Sequence, residues 1–304
     1  GSDSSYGSMQ GTSMASPNAA GSAALVAQEY LRLFGRAMRS STLKGLLIHT
    51  ADDLGNPGPD YRFGWGLMNA RAAVDLIRDQ SADPAKIRLT EGQVTTTSNQ
   101  ITHEFRWDKT NPIRVTLAWT DPAAASNNIA DSRTVRLVNN LNLRLVGPTG
   151  ATNLPYVMPF VGNWSQASMA SNAVSGTNNV DNVEQVYLTN PPAPGIYKAI
   201  VSYSGTLSTN SQAYSLLVSG SSTDPLSSLS PTKGYAGSRL FLKISGSPTW
   251  RDVAESYSGW TNGSGSVSGF GSWSLTQSGT AGFFIGTSSN ANMNVGALKG
   301  FGLY

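Results

Sequence analysis

Residues 13–34, "SMASPNAAGSAALVAQEYLRLF", return apolar side chains at helical spacing through Leu25, Leu31 and Phe34, which predicts a helix. Pro17 falls in its first turn, where a missing N–H costs nothing, and Gly35 marks its end. Ala15, Ala19, Ala20, Gly21, Ala23 and Ala24 would let neighbouring backbone approach closely, the pattern of a buried helix. A second helix is expected from about Ser41 to Ala51, with Ser40 or Ser41 as its cap. The stretch "DDLGNPGPDYRFGWGLMN" carries too many Gly and Pro residues for regular structure. A third helix is expected from about Asn69 to Arg78.

From about Lys86 the period shortens to two. "IRLTEG", "ITHEFRW", "IRVTLAWT", "NLNLRLVGP", "EQVYL", "GIYKAIVSY" and "AYSLLVSG" are short alternating segments divided by turn residues. They predict an antiparallel sandwich. Residues 221–232, "SSTDPLSSLSPT", read as a linker. Beyond it Gly, Ser and aromatics alternate, with strand-like stretches around Trp273 and Phe283–Ile285. The expected organisation is therefore 1–85, 86–220, a linker at 221–232, and a β-rich unit at 233–304 that stops before its final strands.

Composition narrows the function classes. The 304 residues include no cysteine, which removes disulfides, thiolate zinc sites and a thiol nucleophile. The net charge is +3, but the Lys and Arg residues are scattered, so a nucleic-acid partner is not expected. No apolar run approaches the roughly 20 residues that span a bilayer. Low charge, 13% of residues, with abundant Ser, Thr, Asn and Gly suits an exported protein. The chain begins with Gly rather than Met and is expected to be a processed product or a piece of something longer.

"GTSMASPNAAG", residues 11–21, carries the chemistry. It resembles the nucleophile motif of subtilisin-like serine proteases, the subtilases, through Gly11, Thr12, Ser13, Ala15, Pro17 and Gly21. "TLKGLLIHTADDL" and "YRFGWGLMNARAAVDL" resemble the family's next helix and its closing turn and last helix. The resemblance implies an incomplete C-terminal part of an α/β subtilisin-like domain. Ser13 would be the nucleophile, and its backbone N–H one donor of the oxyanion hole. The helix N-terminus would favour the developing negative charge. Residues 87–220 resemble the β-jelly-roll domain that follows the catalytic domain in some subtilases, through "LAWTDP", "LVNNLNLRLVGPTG" and "NNVDNVEQVYLTNPPAPGIYKAIV". The last unit resembles no family.

A serine hydroxyl needs a base. In the family the acid and the histidine precede the serine, yet only twelve residues precede Ser13. Asp3 lacks the family's Gly context. His49 sits in an apolar run on a helix that packs away from the family's cleft, and His103 lies on a strand of the next domain. Neither is expected to serve. The implied activity is hydrolysis of peptide bonds in a protein or peptide substrate, outside the cell, through an acyl-enzyme on Ser13. The Asp and His would come from sequence upstream, so the chain alone would be inactive. No cofactor is required for that chemistry. A structural calcium ion is an open expectation: relatives often carry Asp where this chain reads Asn140 and Asn142, leaving Asp121 and Asp131 as carboxylates. The helices of residues 1–80 are expected to lack a packing surface. The alternative is a non-catalytic remnant joined to β-domains that bind glycan or a cell surface, with Trp250, Trp260, Phe270 and Trp273 stacking on sugars.

Overall fold

A computed structural model describes residues 3–4, 6–84, 86–129, 134–158, 165–222 and five strand segments beyond. Residues 1–222 form one compact unit and 223–304 a second.

The first unit opens with three helices: α1 (Thr12–Phe34), α2 (Ser40–His49) and α3 (Ala70–Ala82). Gly11 precedes α1 at φ +140°, ψ 173°, a region open essentially to glycine alone. The expected hydroxyl cap of α2 is not used. Arg39 holds the cap position without a side-chain bond. Ser40 Oγ instead meets Thr120 Oγ1 and Ser41 Oγ meets Ser215 Oγ, because the start of α2 lies against a sheet that offers partners. Asn69 does cap α3, accepting from the Ala72 N–H. Between α2 and α3 the chain closes on itself by a bridge between Asp52 and Leu67. Gly66 sits in that bridge at φ +107°, and a Cβ there would meet the Asp52 carbonyl oxygen at 2.1 Å.

Strands β1 (Leu89–Thr95), β2 (Gln100–Trp107), β3 (Ile113–Trp119) and β4 (Asn140–Val146) follow. Two short strands, β5 (Thr152–Asn153) and β6 (Tyr156–Val157), precede a single helical turn, α4 (Gln166–Met169). Then come β7 (Val174–Ser175), β8 (Val183–Leu188), β9 (Ile196–Ser204), β10 (Ser211–Ser219) and β11 (Ser221–Ser222). All seven alternating segments of the sequence fall on strands. One sheet runs β1-β10-β3-β8 and the other β11-β2-β9-β4-β5, and the pairings among the described residues are antiparallel. The two sheets face each other over a shared core that includes Trp119, Tyr197, Tyr214, Leu141, Leu143, Leu145, Val115 and Leu117. Each such side chain, fully withdrawn from water, contributes about 1.5–3 kcal/mol.

The helices do find a surface. A second core joins Val26 and Tyr30 of α1, Leu46 of α2, and Ala73, Leu76 and Ile77 of α3 to Leu217 of β10. Residues 1–85 and 86–220, expected as two domains, thus lie within one compact unit. The buried face of α1 also differs from the expected one: Leu25 and Leu31 are 64% and 52% exposed, while Val26 and Tyr30 are covered. Among the described residues no helix is long and apolar enough to cross a membrane.

In the second unit β12 (Leu229–Ser230) pairs with β13 (Lys243–Ile244), and β14 (Gly263–Val267), β15 (Gly271–Gln277) and β16 (Phe283–Thr287) form a three-stranded antiparallel sheet. Trp273 lies on β15; Trp250, Trp260 and Phe270 lie outside the described residues.

Candidate functional site

Ser13 occupies the first turn of α1, one residue past the helix start, and is exposed. The first N–H groups of a helix have no intrahelical acceptor. Here the Gly11 carbonyl accepts from Met14 and Ala15 at 3.0 and 3.1 Å, and the N–H groups of Thr12 and Ser13, at the first two helical positions, have no intrahelical acceptor. No acidic side chain occupies the first turn to compete for them. Unpaired N–H donors at the positive end of a 23-residue helix can stabilise an oxyanion formed beside the Ser13 hydroxyl. Tyr6, Met9 and Leu25, around or along the same helix, are also exposed.

The histidines are placed where catalysis cannot reach them. His49 ends α2 at 1% exposure. Its Nδ1 meets Thr116 Oγ1 at 2.8 Å and its Nε2 meets Ser219 Oγ at 2.7 Å, so both ring nitrogens are occupied. Burial, with Arg114 and Arg88 nearby, drives its pKa down to about 3. A general base works best with a pKa near the operating pH, and His49 fails on both counts. His103 on β2 is half-buried, meets Tyr214 Oη through Nε2 at 2.8 Å, and is lowered by burial. Asp3 is exposed. Ser13 is therefore brought to the surface without a His among the described residues able to take its proton.

What holds α2 to the sheet is a set of buried polar groups that the sequence did not single out. Glu91 of β1 accepts from Thr42 Oγ1, Arg36 Nη1 and the Arg39 N–H. Burial alone would raise its carboxyl, but the bonds from Thr42 and Arg36 and that N–H outweigh it and hold it low. Lys44 Nζ donates to the Trp119 carbonyl, the Asn182 carbonyl and Asn182 Oδ1, and burial lowers it to about 8. Their only sequence signal is polar residues at positions where an amphipathic pattern would tolerate apolar ones.

The calcium expectation meets a carboxylate already engaged. Asp121 accepts the Val138 and Asn139 N–H groups, one on each oxygen. Asn140 Nδ2 donates to Asn179 Oδ1, and Asn142 Nδ2 to Ser204 Oγ. Asp131 lies outside the described residues. Among the described residues no three His, Asp or Glu side chains gather as a metal site.

The model of the subtilase family, peptidase S8, matches residues 2–66. An extracellular serine protease of Serratia marcescens is 40% identical over 70 residues, which is 23% of this chain and 6% of that protein. The neisserial autotransporter lipoprotein NalP of Neisseria meningitidis serogroup B is 40% identical over 65 residues, 21% of this chain and 6% of its own length. The chain thus spans a small fraction of the relatives it matches. These similarities support a peptidase-like function for the segment that carries Ser13.

Proposed function

We propose that the protein is a subtilisin-like serine endopeptidase whose nucleophile is Ser13. The observation that carries this reading is the exposed Ser13 at the glycine-entered start of α1, inside the stretch that matches the subtilase family. Ser13 Oγ would attack the carbonyl carbon of a peptide bond while a histidine takes its proton. The Ser13 N–H would bind the oxyanion. Collapse would expel the amine with that proton, leaving an ester on Ser13 that water then hydrolyses. The engagement of both His49 ring nitrogens, and of His103 Nε2 with Tyr214, supports placing the histidine and its aspartate outside residues 1–304. Residues 1–304 alone are then inactive. The two-sheet region we assign to the jelly-roll type. Secretion to the outside or the surface follows the extracellular and autotransporter relatives.

The test is labelling by a fluorophosphonate, which reacts with an activated serine. A full-length product from the source organism should be labelled at Ser13, and Ser13→Ala should abolish the label. Residues 1–304 alone should take none. A full-length product that carries a histidine motif ahead of Ser13 yet takes no label would sink the reading. So would labelling of residues 1–304 that persists in Ser13→Ala.

A further inference from the structure

The two sheets meet at an edge. On β4 the strand β5 pairs only with Leu145 and Val146, so, among the described residues, 140–144 have β9 on one side and no strand on the other. On the facing sheet β8 is, among the described residues, the outermost strand, paired with β3. Glu184 of β8 spans the gap. Its Oε2 accepts the Leu143 N–H at 2.5 Å, replacing the ladder bond that β4 lacks there. The residue is 1% exposed, and its other oxygen, Oε1, is buried with no partner among the described residues. Glu184 lines a cavity of about 150 Å³ with Asn142, Arg144, Thr177, Asn178 and Ser202.

A buried carboxylate oxygen without a donor is costly, because a charge withdrawn from water must be paired. The charged groups around Glu184 do not pair it. Asp181, just before β8, has its Oδ2 on Asn178 Nδ2 and adds negative charge. Arg144 of β4 sends Nη2 to Gln100 Oε1. Lys44 of α2 is spent on Trp119 and Asn182. The neighbours from β3, β6 and β9, namely Leu117, Tyr156, Ser202 and Ser204, carry no charge at neutral pH. Asn178 supplies only an amide. One carboxylate with uncharged oxygens is a weak donor set for a metal ion, whereas a proton on Oε1 removes the buried charge and leaves an O–H that faces the cavity's uncharged oxygens.

We propose that Glu184 is a proton-operated clasp: with Oε1 protonated its side chain pins the edge of β8 to β4, and ionisation releases that edge at the cavity. Burial, opposed by the Leu143 N–H and reinforced by Asp181, pushes the carboxyl up to about 8, which places the transition near neutral pH. Because the closed edge holds the proton more tightly than the open one, closure is favoured in acid. It weakens as pH rises from the ordinary carboxylate range towards 8, and levels off beyond.

Hydrogen exchange of the Leu143 amide in the 304-residue chain tests this, corrected for the intrinsic effect of pH. Protection should fall up to about tenfold per pH unit between pH 5 and 8. In Glu184→Gln, neutral at every pH, it should stay flat. Flat protection in the wild type, or the same slope in Glu184→Gln, would overturn the clasp. Should the variant fail to fold, the carboxyl 13C resonance of Glu184 in the wild type decides: a midpoint above 7 supports the clasp, and one below 5 overturns it. Recovery of protection at pH 9 by millimolar Ca2+ would also overturn it, in favour of a metal-held edge.

Discussion

Helices α1 and α2 are joined by five residues, yet they meet their surroundings in opposite ways. Every polar side chain that α2 turns to the sheet has a partner there: Ser41 and Thr42 on Ser215, Lys44 on Asn182, His49 on Thr116 and Ser219. The first half of α1 turns Ser13, Ser16 and Asn18 to solvent, and its buried contacts begin only at Val26 and Tyr30. The difference separates two kinds of reactive side chain. His49 has the right chemistry for a base and no freedom to use it. Ser13 is exposed at the start of its helix, and neither histidine engaged in the sandwich is free to serve it.

The largest effect should come from exchanging the roles of these two residues under truncation. His49→Ala removes a buried ring and leaves the Ser219 hydroxyl unpaired, with Thr116 keeping only Gln185. Destabilisation of about 3 kcal/mol is expected in urea unfolding. Ser13→Ala, at an exposed site, should change stability by less than about 0.5 kcal/mol. Comparable losses for the two would mean that the start of α1 is packed in solution, and the contrast would fail.

Acid should strike through His49 next. Its folded pKa is depressed to about 3 from the ordinary 6.5, so between those values the unfolded chain binds a proton that the folded one does not. Stability therefore falls as pH drops from about 6.5 towards 3, by up to about 1.4 kcal/mol per unit. Unfolding midpoints of the wild type and His49→Gln should diverge across that window, the variant losing less. Parallel curves would mean that the ring is charged and solvated in the folded protein.

How much of this could be seen in the sequence follows from what each pattern reports. Period two located β2, β4 and β9, whose burial alternates along the strand. On β8 the residues Val183, Glu184, Gln185 and Val186 are all buried, and β3 is covered almost throughout, because α2 lies across the outside of that sheet. Alternation carries no information where both faces are covered, so nothing in "EQVYL" singled out Glu184. The existence of α1 was legible from its small and apolar residues, but not which face it would bury. Leu25 and Val26 are adjacent and equally apolar; only the positions of Ala73, Ile77 and Leu217 decide between them. The hydroxyls at 40 and 41 were read as a local cap because sequence shows neighbours along the chain, and their partners are 80 and 174 residues away. Ser13 was legible because its motif is contiguous. That the chain has two histidines was legible too, but not that His49 would be buried with both ring nitrogens engaged.

The smallest effects are the most discriminating, because they have opposite signs in the two helices. A Cβ on Gly45 of α2 would stand 2.5 Å from Leu217 Cδ1 and 3.4 Å from Ala118 Cβ. Leu217 is itself buried, so its side-chain tip has little room to retreat. Gly45→Ala should therefore cost about 1–2 kcal/mol despite the gain in helix propensity. A Cβ on Gly21 of α1 meets nothing within 4 Å. Gly21→Ala should stabilise the 304-residue chain by about 0.5–1 kcal/mol, since alanine loses less backbone entropy on entering a helix. The same pair measured in a full-length product would locate any surface that covers α1. If Gly21→Ala turns from stabilising to destabilising there, the face beside Ser13 is closed by residues outside this chain, as the peptidase reading requires. If it stabilises both proteins equally, Gly21 faces water in each, and α1 presents its serine from an uncovered helix.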